Sequence, residues 1–220
     1  MKPSIVGLWL GSHRSVLAAV GMVGLVNASA LATTFYVAPT GSDSNSGTQA
    51  SPFRSITRAQ AVASSGDTVT LRGGTYSGFT IAGSDSNYNF VHNLTKSGIT
   101  YAAFTGEVPV FNFAGTTTAK RVAAFHIARG ITVTIRGIQI TGVPVGTQKQ
   151  SECFRIEGTA TFDRVTCRDN AANGFYFTTT AAGAVMVGGV LSTTVTIAVQ
   201  EADAPWLSVT VSVTVVWPSA

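Results

Sequence analysis

The chain has 220 residues, enough for one domain with a real core. Fourteen Lys and Arg against ten Asp and Glu leave a formal charge of +4. The basic residues form no run and no interleaving with aromatics, so nothing in the charge pattern calls for a nucleic-acid partner. Charged residues make up only 11% of the chain, which favours short strands and tight turns over a helical bundle.

Residues 1–32 read as a secretory signal peptide. Lys2, His13 and Arg14 form a polar start, residues 16–26 an apolar run of 11, and Ala28-Ser29-Ala30 and Ala30-Leu31-Ala32 two small-x-small cleavage sites. A bilayer span needs about 20 apolar residues. The segment is therefore expected to direct secretion and be removed, leaving an extracellular chain with no membrane segment and 12 basic against 10 acidic residues.

Phe35-Tyr36-Val37-Ala38-Pro39 is the first expected strand, followed by a polar, turn-rich stretch over residues 40–48. Ile56, Ala59, Val62 and Ala63 then recur at helical spacing behind a capping Ser55, and Gly66-Asp67 ends that helix. Thr68-Val69-Thr70-Leu71 is a strand and Arg72-Gly73-Gly74-Thr75-Tyr76 a sharp turn. Short alternating runs follow at residues 99–104, 109–111, 124–127, 131–135, 137–142, 153–156, 162–167 and 174–177, as strands buried on one face require.

Spacing between these runs is the informative signal. Phe154 and Phe175 lie 21 residues apart, as do Ile156 and Phe177, and Ile127 to Ile156 is 29, consistent with one coil plus a loop insertion around residues 144–150. A period of 20 to 30 residues built from short strands predicts a solenoid, in which stacked coils join their apolar residues into one core. A β-sandwich has turns at similar density, but the helix and strand at the front suit a solenoid whose open end must be covered. The fold expected is all-β, a right-handed parallel β-helix with a short N-terminal capping helix over residues 33–182. Cys153 and Cys167 are 14 residues apart, which is no coil period, so they are expected as two buried core residues that do not stack, with a disulfide in the exported chain as the alternative.

The segment Tyr36-Val37-Ala38-Pro39-Thr40-Gly41-Ser42-Asp43, with Ser51-Pro52-Phe53-Arg54-Ser55-Ile56, Gly66-Asp67-Thr68-Val69 and Gly73-Gly74-Thr75-Tyr76, resembles the opening shared by secreted β-helix lyases. Ile135-Arg136-Gly137-Ile138-Gln139-Ile140-Thr141-Gly142 and Val165-Thr166-Cys167-Arg168-Asp169-Asn170 narrow the resemblance to pectate lyases of polysaccharide lyase family nine. It covers residues 35–180. That family removes the C5 proton of a uronic acid unit and expels the C4 oxygen, with calcium held by aspartates and a Lys as base. The resemblance thus implies calcium as cofactor and an acidic polysaccharide, pectate first, as partner.

After Ala182 the sequence departs from the family's pattern. From Asp169 to Ala220 there is no Lys or Arg, and the only acids of the tail are Glu201 and Asp203. Residues 207–217 alternate apolar and polar, as one long half-buried strand would. Residues 183–220 are thus an atypical Val/Thr-rich tail, either a terminal strand over the last coil or the product of a frameshift or truncation in a longer lyase. Lys149, Arg155 and Arg168 are the nearest candidates for a base, although solvated ion pairs are the simpler reading. Asp163 and Asp169 are candidates for the edge of a metal site, with Asp169-Asn170 read more simply as a turn. His126, inside an apolar run, reads as a core or ladder residue. The expectation is a pectate lyase-like protein inactive as written. The alternatives are a non-catalytic polysaccharide-binding module and a lyase of the alginate or chondroitin type.

Overall fold

The structure, a computed structural model, describes residues 31–116, 119–145, 150–178, 183–187 and 191–192. All of these but Leu31 belong to one compact unit, Ala32–Ala220. The signal segment before residue 31, Lys149 and the alternating tail lie outside the described residues.

The chain opens with β1 (Thr34–Val37) and α1 (Ile56–Val62), then winds as coils of three parallel strands, the first with one extra short strand. The first coil holds β2 (Thr68–Leu71), β3 (Gly74–Tyr76), a short β4 (Gly83–Ser84) and β5 (Tyr88–Leu94). The second holds β6 (Ile99–Ala103), β7 (Pro109–Asn112) and β8 (Arg121–Ile127). The third holds β9 (Thr132–Arg136), β10 (Gln139–Thr141) and β11 (Glu152–Ile156), and the fourth β12 (Thr159–Asp163), β13 (Thr166–Arg168) and β14 (Asn173–Phe177). Strands β15 (Gly183–Val187) and β16 (Leu191–Ser192) begin another turn.

Equivalent strands stack into three sheets: β1-β2-β6-β9-β12-β15 (sheet A), β3-β7-β10-β13-β16 (sheet B) and β4-β5-β8-β11-β14 (sheet C). All pairs are parallel except β4 with β5. This is the expected parallel β-solenoid. Its register follows the sequence spacing: Phe154 pairs with Phe175, Ile156 with Phe177, and Ile127 with Ile156. Pairing also continues past residue 182, where β15 joins β12 and β16 joins β13.

Inward positions stack by type. Phe154 lies 5.3 Å from Phe125 in the coil before and 5.0 Å from Phe175 in the coil after, with Phe162 at 4.8 Å. Such rings bury large apolar areas and add offset or edge contacts to it. Gly142 (φ +72°) turns the third coil so closely against the second that a Cβ there would come within 2.8 Å of Ala114 N.

At the N-terminal end α1 packs on β1, β2 and β5. Ser55 caps it, accepting from Arg58 N at 3.0 Å, and Asp43 fixes the entry by accepting from Arg54 N, Ser55 N and Ser55 Oγ. Ile56, Ala59 and Ala63 enter the core, but Val62 does not: it is exposed, and Gln60 is buried instead. The Gln60 amide donates to Asn93 O and accepts from Thr95 N, so it closes backbone groups of the first coil that an apolar residue would leave open. The segment read as a sharp turn before Tyr76 is partly strand β3, held by the Tyr76 hydroxyl donating to Val37 O and Arg72 O.

Phe154→Ala should lower stability by about 3–5 kcal/mol, because the rings on three sides cannot collapse into the space. The urea midpoint of the purified chain measures it, and a loss under about 1 kcal/mol would contradict this account of the core.

Candidate functional site on the outer face of sheet C

In a flat strand consecutive residues point to opposite faces. Sheet C breaks that rule. Ala124 and Phe125 are both in the apolar core, as are Cys153 and Phe154. The parallel pairing skips position 153 in β11, and position 91 in β5 and 124 in β8, while resuming in unchanged register beyond them. Each coil of the sheet therefore bends at this position. The bend tips the outward side chains on its two sides toward one another. Phe90 and His126 accordingly stack at 3.9 Å, and Tyr88, Phe90 and Ala123 form a small apolar cluster apart from the main core.

A polar cluster fills this corner. Tyr88 donates to Glu152 Oε1 at 2.8 Å, and Gln150 Nε2 donates to the same oxygen at 3.2 Å. Glu152 is fully buried, and burial pushes its pKa up to about 7 against the opposing pull of Tyr88 and Arg155. The Arg155 guanidinium lies 4.2 Å from the Tyr88 ring and 5.3 Å from the Tyr176 ring, while its Nε donates to Glu157 Oε1 at 3.1 Å. His126 Nδ1 meets Asn93 Oδ1 at 2.8 Å, and its Nε2 lies 3.5 Å from Glu157 Oε1 without hydrogen bonding it. Burial holds His126 below its usual value, so the ring is neutral at pH 7. Arg121 Nε and Glu152 Oε2 are buried with no hydrogen-bond partner among the described residues.

Of the residues singled out from the sequence, only Arg155 and His126 fall in this corner, where they occupy matching positions of β11 and β8. His126 is thus a ladder residue on the outer face. The core histidine is His92, whose pKa burial drives down to about 3 among Phe79, Phe111, Phe113 and Phe125. Arg168 lies on sheet B, paired with Asp169 and donating from Nε (2.9 Å) and Nη2 (2.6 Å) to the Gln139 carboxamide oxygen in the amide orientation its hydrogen bonds require. Asp163 ends β12 on sheet A and accepts from Arg164 at 3.1 Å. Asp163 and Asp169 therefore stand on different sheets, each taken up by an adjacent arginine. Asp169 does sit in a turn (φ +53°), but Asn170 bonds to the preceding coil, accepting from Val143 N at 2.8 Å. Calcium needs six to eight oxygens. Among the described residues no three His, Cys, Asp or Glu side chains converge, so those present do not fit the ion.

Sequence reasoning missed Asn93, Tyr88, Arg121, Glu152 and Glu157. The strand β5 was itself unread, because the bend breaks its alternation: Val91 and Leu94 face the core three residues apart, where a flat strand would turn them to opposite faces. The available signal was Glu152, an acid directly before the apolar pair Cys153-Phe154.

Three stacked sheets with a bent third one and a polar outer corner define a parallel β-helix protein. Residues 35–199 match the family model described as Pel9A-like, right-handed β-helix region, and the chain belongs to that family. A solved rhamnogalacturonan lyase is 29% identical with a TM-score of 0.62, over 66% of this chain and 38% of its own. The crystal structure of pectate lyase Pel9A is 24% identical with a TM-score of 0.48, over 72% of this chain and 38% of its own. The chain thus spans well under half the length of these two structures. Curated proteins offer no match.

The raised pKa of Glu152 fixes a pH dependence. Unfolded, the carboxyl ionises near its ordinary value, while folded it stays protonated to about 7. Stability from this group is fully present at the acid end and is lost as pH rises through that window, by on the order of 3 kcal/mol. Glu152→Gln should remove the loss, gaining stability over the parent at pH 8 and not at pH 4. Urea midpoints for both proteins across that range are the check, and parallel curves would refute it.

Proposed function

We propose that this chain is part of a secreted, polysaccharide lyase-like protein whose β-helix holds an acidic polysaccharide of the pectin class. The family match over residues 35–199 carries this reading, and the likeness to a rhamnogalacturonan lyase supports a polysaccharide as the partner. Pectate is the first substrate to try and a rhamnogalacturonan the second.

The sheet C corner is the face proposed to meet the polymer. A planar guanidinium offers a uronate carboxylate two parallel N–H donors, and tyrosine rings beside it give the sugar an apolar surface. Arg155 beside the half-buried Tyr176 ring has that composition, with the buried Tyr88 ring packed beneath the guanidinium. Cleavage is a separate matter. β-Elimination needs the C5 proton removed while the C4–O bond breaks, and among the described residues no three metal-ligating side chains converge to hold the calcium that the family's chemistry uses. The proposal is therefore binding without turnover by the chain as it stands.

Two assays on the same protein test this. Polygalacturonate and rhamnogalacturonan cast into native gels should each be tried for retardation, and solutions of both, with and without calcium, for the near-ultraviolet absorbance of unsaturated product. The expected result is retardation by at least one polymer, weakened about tenfold by Arg155→Ala, with no rise in absorbance. A calcium-dependent rise would overturn the non-catalytic part. Free migration through both polymers would overturn the binding face.

A further inference from the structure

Cys153 of β11 and Cys167 of β13 do not stack at one register position, as their spacing requires, but half a turn of chain brings both into the same core. Fourteen residues carry the chain from β11 on sheet C to β13 on sheet B, and both side chains enter the same apolar core, 0% and 2% exposed. Asn170, three residues beyond Cys167, reaches back to donate to Cys153 Sγ at 3.2 Å and to Ile140 O at 3.4 Å. The same side chain accepts from Val143 N at 2.8 Å, so it pins the turn after β13 against the strand that carries Cys153. Burial and the neighbouring Cys153 thiol hold the Cys167 thiol well above its ordinary pKa. Both cysteines are free in this structure.

We infer that Cys153 and Cys167 are a disulfide-forming pair, and that the link braces sheet C against sheet B inside the solenoid. The chemistry is thiol–disulfide exchange with a disulfide donor of the exported compartment. One cysteine thiolate attacks the donor and expels a first thiolate, leaving a mixed disulfide. The second cysteine attacks the protein sulfur of that bond and expels the other. Two cysteine thiols thus lose two electrons and two protons, and the donor disulfide becomes two thiols. Burial closes the folded pair to a bulky donor, so exchange belongs to folding or to local opening of these coils. The inference is independent of the polysaccharide reading and needs only an oxidising compartment.

The test uses the full chain, refolded from denaturant in mixed oxidised and reduced glutathione. The expected product is a monomer lighter by two hydrogens, with no thiol titratable in denaturant and one peptide pair joining Cys153 to Cys167 in a non-reducing digest. Reductant should then lower the melting midpoint by roughly 5–10 °C, the effect of opening a loop of this size in a chain of this length. Cys153→Ala and Cys167→Ala should melt alike with and without reductant. Two free thiols after oxidation, a glutathione adduct or a cross-linked dimer in place of the internal bond would each overturn the pairing. An internal bond whose reduction leaves the midpoint unchanged would overturn the bracing. These readouts on the parent chain stand even where a variant fails to fold.

Discussion

Parallel stacking in unchanged register is the constraint on which the rest of this molecule depends. A single coil of three short strands cannot bury its apolar side chains alone. Once Phe125, Phe154 and Phe175 occupy one register position, each ring finds partners above and below, and the backbone of each coil finds its hydrogen bonds in the next. The loops are free to vary between coils, since only the strand positions must match. That freedom lets the coil joining Phe154 to Phe175 be eight residues shorter than the one joining Phe125 to Phe154 without disturbing the column.

The same register multiplies any local irregularity along the axis. The bend at positions 91, 124 and 153 is one residue wide in each coil, yet because the coils stack it becomes a continuous crease in sheet C. Outward side chains converge along the crease, and the polar ones must find partners there or be left desolvated. Tyr88, Gln150 and Glu152 satisfy one another, as do Arg155 and Glu157, while Glu152 Oε2 and Arg121 Nε are left without a bond among the described residues. A carboxyl so placed stays neutral where an exposed one would ionise, so the corner's charge is set by packing more than by composition. Polar groups gathered at one crease set it apart from the otherwise regular surface of the solenoid.

Much of the fold was legible beforehand because solenoid periodicity is a one-dimensional signal. Equal spacing of Phe154 with Phe175 and of Ile156 with Phe177 needs no knowledge of the third dimension to be seen. Ser55 was likewise readable as a cap, since capping is settled within four residues. Val62 was not readable. Its spacing suits an apolar face, but the helix is only seven residues long, and backbone groups of the first coil decide that Gln60 turns inward instead. Arg155 was on the list of basic residues, yet nothing in its neighbours along the chain distinguished it from Arg168. What distinguishes them is that Tyr88 arrives beside Arg155 from two coils away, whereas Arg168 meets Asp169 and Gln139.

The sequence by itself determined the repeat, most of the strands, the inward aromatic columns and the family, because each rests on spacing or on short contiguous motifs. Only the tertiary structure decided which residues face one another across a coil or across the bend. Cys153 and Cys167 show the difference most clearly: a separation of 14 residues excludes vertical stacking, and that much follows from the period. Whether half a coil brings two thiols together depends on where the chain turns between sheets. The physical reason is that turns close through many backbone angles at once, and no pairwise spacing in the chain encodes their sum.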